Sequence, residues 1–289
     1  MQDLERRLRN YGDREPTRRP DITTDDRTPD SPTEGAASPG TAHGRVRRRT
    51  GGLAFLRELA FVVVGALIVS SLLRAFVGQM FIIPSASMQN TLLEGDRVVV
   101  QKVTDFHRGD VVVFEDPAHW LPDPEDARPV DRLLDLIGIP NASSPGHLIK
   151  RAIGLPGDTV VCCDDAGRVT VNGTALDETS YLYTSSAGEQ VAPSEVGFSV
   201  VVPRDHIFVM GDHRDDSLDS RCHLSDMSTL GRGQGAFVPE SDVVGPALAI
   251  VSPLDRTSRF RAPATFSAVP APSGPAPERG EIKAAGVSC

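Results

Sequence analysis

Hydrophobic and polar residues divide the chain into three regimes. Residues 1–52 are rich in Arg, Asp, Pro, Thr and Gly and show almost no apolar periodicity. They cannot bury enough surface to offset the entropy of ordering, so this segment is expected to be disordered. Leu59 to Leu73, "LAFVVVGALIVSSLL", is uncharged and apolar and lies between Arg57-Glu58 and Arg74. As a helix this run covers about 22 Å, short of a hydrocarbon core of about 30 Å. Letting Arg74 snorkel and adding Ala75 to Val77 brings it to about 28 Å, enough for one membrane span, assigned to 53–77.

Beyond the span the pattern becomes β-like, with short β-branched runs separated by Gly, Pro and Asp. Strands are predicted at Asp96–Lys102, Asp110–Phe114, His147–Ile153, Asp158–Cys163, Arg168–Gly173, Phe198–Val202, His206–Asp212 and Val243–Val251, with a hairpin signal at Asn172-Gly173. The expected fold class is mostly β, a domain over 78–261 preceded by one transmembrane helix. Glu115 to Gly146 is a long excursion with a short helical piece at Arg132–Ile137. Residues 262–289, dominated by Pro and Ala, read as a disordered tail.

The net charge of the 289 residues is −9, but it is unevenly placed. Residues 1–77 hold 13 Arg, no Lys and 10 acidic residues, a surplus of +3 that leaves −12 on the remainder. An acidic body argues against nucleic acid as a partner. The cluster Arg45, Arg47, Arg48 and Arg49 precedes the apolar run, and the positive-inside rule then puts the N-terminus in the cytoplasm and everything after Gly78 outside. A cleaved secretory signal is the competing reading, because Ser85-Ala86-Ser87 is itself a small-x-small pattern. Its basic region would be far too long, however, and the pattern lies about a dozen residues past the apolar run. Four cysteines are too few for a disulfide scaffold. Adjacent Cys162 and Cys163 are expected not to bridge each other, while either could pair with Cys222 in an oxidising compartment.

Candidate chemistry centres on three places. In a strand, Leu148, Lys150 and Ala152 share one face, so the lysine has apolar or small neighbours. Burial would lower its pKa and raise the neutral fraction above the roughly one in 2,500 of an ordinary lysine at pH 7. Ser85 and Ser87 lie in a turn-prone stretch after Pro84. The third place, "MGDHRDDSLDSRCH" at Met210–His223, concentrates Asp212, His213, Asp215, Asp216, Asp219 and His223. It reads either as a hard-ligand metal site or as a turn whose carboxylates pair with Arg214 and Arg221. None of these alone identifies an activity.

Together they resemble the type I signal peptidases (leader peptidases), of an actinobacterial kind. The resemblance runs from Phe81 to about Val251 and rests on four blocks in the family's order: "IPSASMQNTLLEGDRVVVQK", "RGDVVVF", "IKRAIGLPGDTV" and "GDHRDDSLDSR". It implies a β catalytic core with a smaller β extension. It also implies a membrane-anchored serine endopeptidase that removes signal peptides from exported preproteins, cutting after small residues at −1 and −3, with no cofactor and no metal. Ser87 would be the nucleophile, Lys150 the general base, Ser85 an oxyanion-hole donor beside the Ser87 N–H, and Ser217 the group orienting the lysine. Arg151, Asp212, Asp219 and Arg221 would form structural ion pairs. The implied partners are preproteins, the lipid bilayer and the secretion translocase. Ala86, Asn90, His213 and Asp216 depart from the family's frequent residues, glycine, proline and two asparagines. Two alternatives stand beside this reading. One is a metal-dependent hydrolase built on Asp212, His213 and His223; the other is a non-enzymatic single-span surface protein.

Overall fold

The structure, a computed structural model, describes residues 51–76, 78–121 and 146–285. The segment expected to be disordered, up to residue 50, and the helical piece expected at 132–137 lie outside the described residues. A 26-residue helix, α1 (Gly51–Phe76), opens the described chain. Its described side chains, 54–70, are all exposed, Phe61 and Val62 among them. That stretch contains Arg57 and Glu58 and covers about 25 Å. Among the described residues no helix is long and apolar enough to cross a membrane.

The strands follow as β1 (Gly78–Ile82), β2 (Arg97–Gln101), β3 (Val111–Glu115), β4 (His147–Gly154), β5 (Thr159–Cys162), β6 (Thr170–Val171), β7 (Thr174–Ala175), β8 (Phe198–Val201) and β9 (His206–Met210). After these come β10 (Met227–Ser228), β11 (Gly231–Arg232), β12 (Val238–Pro239), β13 (Val243–Ser252), β14 (Ser258–Arg259) and β15 (Glu281–Ala285). The larger sheet runs β1-β2-β13-β3-β4-β9-β12 with β14 added to β13, and the smaller runs β15-β8-β5-β6-β7. β10 and β11 form a separate ribbon. β13 pairs with β3 through its first half and with β2 through its second, with register shifts after Val243, Ala247 and Ile250. Such irregularities bend a strand, and here they curl the larger sheet. All the predicted strands are present, the run 168–173 as the β6–β7 hairpin. Its turn residues Asn172 and Gly173 have φ of 50° and 78°, the left-handed pair that a two-residue hairpin demands.

β4 is the hub of the interior, because it feeds three apolar clusters. Ile149 joins Phe81, Met88 and Val98; Leu148 and Ala152 join Val112, Phe114 and Trp120; Ile153 joins Val160, Phe198 and Phe208. Lys150 therefore sits on a strand buried from both faces.

Two expectations are corrected. Residues 262–289 are not a loose tail over their described length. Phe266 and Val269 are buried in the cluster beneath the smaller sheet, and β15 pairs with β8. The Pro and Ala content hid two apolar anchors, and Ile282 packs against the same cluster. Cys162 and Cys163 do bridge each other, across a cis peptide that brings their Cα atoms to 2.9 Å; neither pairs with Cys222. Trp120 is buried in the apolar cluster under β4, its indole N–H donates to the Gly235 carbonyl at 2.9 Å, and its ring stacks on His223.

Candidate active site

Ile83 is buried and its backbone pairs with Asp96 and Gly95, which closes the turn that carries the serines. Pro84 and Ser85 lead into a short 3-10 turn, Ala86–Met88. Met88 is fully buried in the β1–β2 cluster, so the side chain after Ser87 pins the turn to the core. Ser87 is itself buried, 7% exposed. At Asn90 the backbone adopts φ of 88° and the side-chain amide donates to the Leu182 carbonyl at 3.1 Å. A proline ring fixes φ near −65° and could not follow that path, whereas Asn tolerates it.

Lys150 comes from β4, opposite Val112 of β3, and is 3% exposed. Its Nζ lies 2.5 Å from Ser87 Oγ. Burial pushes the amine down from its ordinary 10.5 to about 8; Asp219 and Asp212 oppose that shift, Arg221 assists it, and Asp216 opposes it more weakly. At a pKa of about 8, about one lysine in ten is neutral at pH 7, and a neutral amine can accept the serine proton. Ser85 is exposed, and its hydroxyl is 3.3 Å from that of Ser87.

The closing loop after β9 completes the arrangement. Asp212 receives Arg151 Nε at 2.8 Å and Nη2 at 2.5 Å, and also the Thr91 hydroxyl at 2.5 Å. This ties β4, the serine turn and the loop in one buried knot. Asp219 receives Arg221 Nε at 2.9 Å, Arg221 Nη2 at 2.8 Å and the Gly211 N–H at 2.9 Å. Ser217 was expected to orient the lysine. Its hydroxyl donates to Asp219 at 2.8 Å, no Ser217–Lys150 hydrogen bond is present among the described residues, and the hydroxyl oxygen keeps lone pairs that can accept. Gly211 is required here, because a Cβ would strike Ser217 and the Ser87 carbonyl.

The residues of the metal alternative are held apart. Asp212 is spent on Arg151 and Thr91, the His213 ring faces Ala86 and Asp215, and His223 Nδ1 lies 2.7 Å from Asp226 while its ring stacks on Trp120. Among the described residues no group of three or more His, Cys, Asp or Glu side chains could hold an ion.

A groove of about 160 Å³ opens beside Ser87 and Lys150, walled by Phe81, Ile83, Val113, Leu121, Leu148 and Ile149, with His147 and Ser85 at its lining. Among the described residues the β4 edge along it has no second strand partner before Arg151. β4 pairs with β3 over 147–151, while its pairing with β9 begins only at Arg151. The sequence reading missed several residues, Thr91, Leu121, His147, Glu178 and Tyr181, and it paired Arg214 with its own loop's carboxylates, whereas Arg214 pairs with Glu178. Tyr181 donates to the same carboxylate at 2.7 Å. The Tyr181 ring lies 4.3 Å beneath Arg151. Thr91 and Arg214 find Asp212 and Glu178 at separations of 121 and 36 residues, which no local pattern marks, and the Glu178–Tyr181 bond, though only three residues apart, stands on no regular element.

The family model described as "Signal peptidase, peptidase S26" matches residues 56–252. Signal peptidase I of Mycobacterium tuberculosis is 35% identical over 253 residues, covering 80% of this chain and 83% of that protein. Probable signal peptidase I of Mycobacterium leprae is 35% identical over 228 residues, covering 70% and 78%. A crystal structure of a signal peptidase I from Enterococcus faecalis V583 matches at 20% identity over 50% of this chain and 97% of that one. Its TM-score of 0.25 leaves it without weight here.

Proposed function

The chain belongs to the signal peptidase family and is a serine endopeptidase, and on that premise we propose that it removes signal peptides from exported preproteins with a Ser87–Lys150 dyad. The observation that carries this reading is the 2.5 Å approach of a buried, pKa-lowered amine to a buried hydroxyl beside an open groove. The neutral lysine takes the Ser87 proton as Oγ attacks the scissile carbonyl, and the resulting ammonium then protonates the leaving amine. The oxyanion receives the Ser87 N–H and the Ser85 hydroxyl. Arg151–Asp212 and Asp219–Arg221 act as structural pairs that keep the closing loop against β4. Ser217 acts on the lysine through Asp219.

The substrate lies extended in the groove and pairs with the free edge of β4. The apolar walls admit Ala, Gly or Ser at −1 and −3. The apolar run Leu59–Leu73 with its flanks, 53–77, is proposed as the single membrane anchor, with the N-terminus cytoplasmic and the β domain outside; what supports this is the run itself and the exposure of every described side chain over 54–70. Ser87 then lies near the bilayer surface where a preprotein leaves the translocase. Full-length protein should sediment with membranes and resist carbonate extraction, and release by carbonate would remove the anchor from the proposal.

The test is cleavage of a preprotein with an Ala-x-Ala site. Ser87→Ala and Lys150→Ala should each abolish it while the thermal midpoint stays high, and chelator should leave the wild type active. Full activity in Lys150→Ala would rule the mechanism out.

A further inference from the structure

One residue grips the serine turn at two successive carbonyls. The His213 backbone N–H donates to the Ser87 carbonyl at 3.1 Å. Its ring Nδ1 lies 3.3 Å from the Ala86 carbonyl. A carbonyl only accepts, so this ring nitrogen carries a proton and donates. The other ring nitrogen faces the Asp215 carboxylate at 3.3 Å. Tyr183 covers the imidazole at a centroid distance of 3.8 Å, and the side chain is only 13% exposed. The Tyr183 backbone N–H in turn donates to the Asp212 carbonyl at 3.0 Å, so the ring is boxed by groups that are themselves fixed to the closing loop.

The consequence follows from peptide geometry. The Ala86 carbonyl and the Ser87 N–H belong to one planar trans unit and point in opposite directions. Holding the carbonyl on one side therefore fixes where the N–H points on the other. We propose that His213 is a positioning residue whose Nδ1–H, by holding the Ala86 carbonyl, aims the Ser87 N–H at the oxyanion. His213 touches neither the substrate nor the reacting atoms. The inference rests on Ser87 being the nucleophile and deepens that reading by naming the side chain that sets the direction of its N–H.

The test uses the full-length protein in detergent with a preprotein substrate, measuring kcat, KM and thermal midpoint for His213→Ala, His213→Asn and His213→Gln. A neutral hydrogen bond of ordinary net strength corresponds to roughly a three- to tenfold effect, so His213→Ala should lower kcat by about that factor with KM little changed. The Asn amide nitrogen can stand where Nδ1 stands, and H213N should recover most of the loss. The Gln amide nitrogen reaches toward the Nε2 position, and H213Q should not. An unchanged kcat in H213A, a loss confined to KM, or equal recovery by Asn and Gln would overturn the proposal. If H213A folds poorly, the Asn–Gln comparison decides alone. Ser87→Ala is run alongside: activity surviving there sinks the nucleophile assignment, whereas an inactive S87A with a normal H213A sinks only the positioning role.

Discussion

At the scale of single residues, the chemistry turns on where one proton resides. Lys150 is held to about 8 mainly by burial, so activity limited by the neutral amine should rise with pH and reach half its plateau near that value. Asp216 is exposed and is among the carboxylates that raise the lysine. Asp216→Asn should therefore move the midpoint of the pH–rate profile downward while leaving the thermal midpoint alone; an upward move would contradict the electrostatic account. The same shift has a stability sign. In the native state the lysine loses its proton near 8, whereas in the unfolded chain it keeps it to about 10.5. Between those values the unfolded state binds more protons, so this group makes stability rise with pH across the window. Lys150→Met should abolish that part of the slope in denaturant titrations at pH 8 and pH 10. The face that buries Lys150 was legible from alternation alone, because Leu148 and Ala152 share it. Ser87 was not, since nothing in a turn after a proline distinguishes a nucleophile from a capping residue; only the order of the four blocks singled it out.

At the scale of elements, the strands were legible wherever a β-branched run stood between turn residues, as in β2, β3, β4 and β8. β1 escaped because its five residues, GQMFI, begin one residue after α1 and are too short to show an alternation of their own. Ties between elements were less legible still. Arg151 and Asp212 were expected as a pair, but Thr91, which donates to the same carboxylate, carries no sequence mark. The knot these three make is buried, which fixes the outcome of breaking it. Removing the guanidinium leaves Asp212 charged in a fully buried site, so Arg151→Met should cost about 3–5 kcal/mol. Urea titration measures this directly. A cost below about 1 kcal/mol would mean that the loop is held by other contacts. Asn90→Pro tests the serine turn in the same way: proline cannot reach φ of 88°, so that variant should lose both stability and activity.

At the scale of the whole molecule, the segment after Arg261 is a structural strap. It runs from the back of the larger sheet to the edge of the smaller one. Phe266 is buried over Gly109, where a Cβ would collide with the ring, and Gly109 supplies the carbonyl that receives Arg151 Nη1 at 2.6 Å. Further on, the Pro270 carbonyl receives Asn172, Gln234 and Gly280 exchange two hydrogen bonds of 2.9 Å, and β15 completes the smaller sheet beside β8. The strap therefore supports the lysine strand from behind, through Gly109 and Arg151, although it contributes nothing to the groove. Phe266→Ala alone should cost about 3–5 kcal/mol, the usual range for an emptied aromatic site in a core. A chain ended at Arg261 should lose more, because the β8 edge and the Phe266 site are opened together. Limited proteolysis should then cut first within 159–201, where the smaller sheet has lost its edge strand. If the shortened chain melts at the full-length temperature and resists protease there, the strap is an appendage and the support of β4 must come from the larger sheet alone.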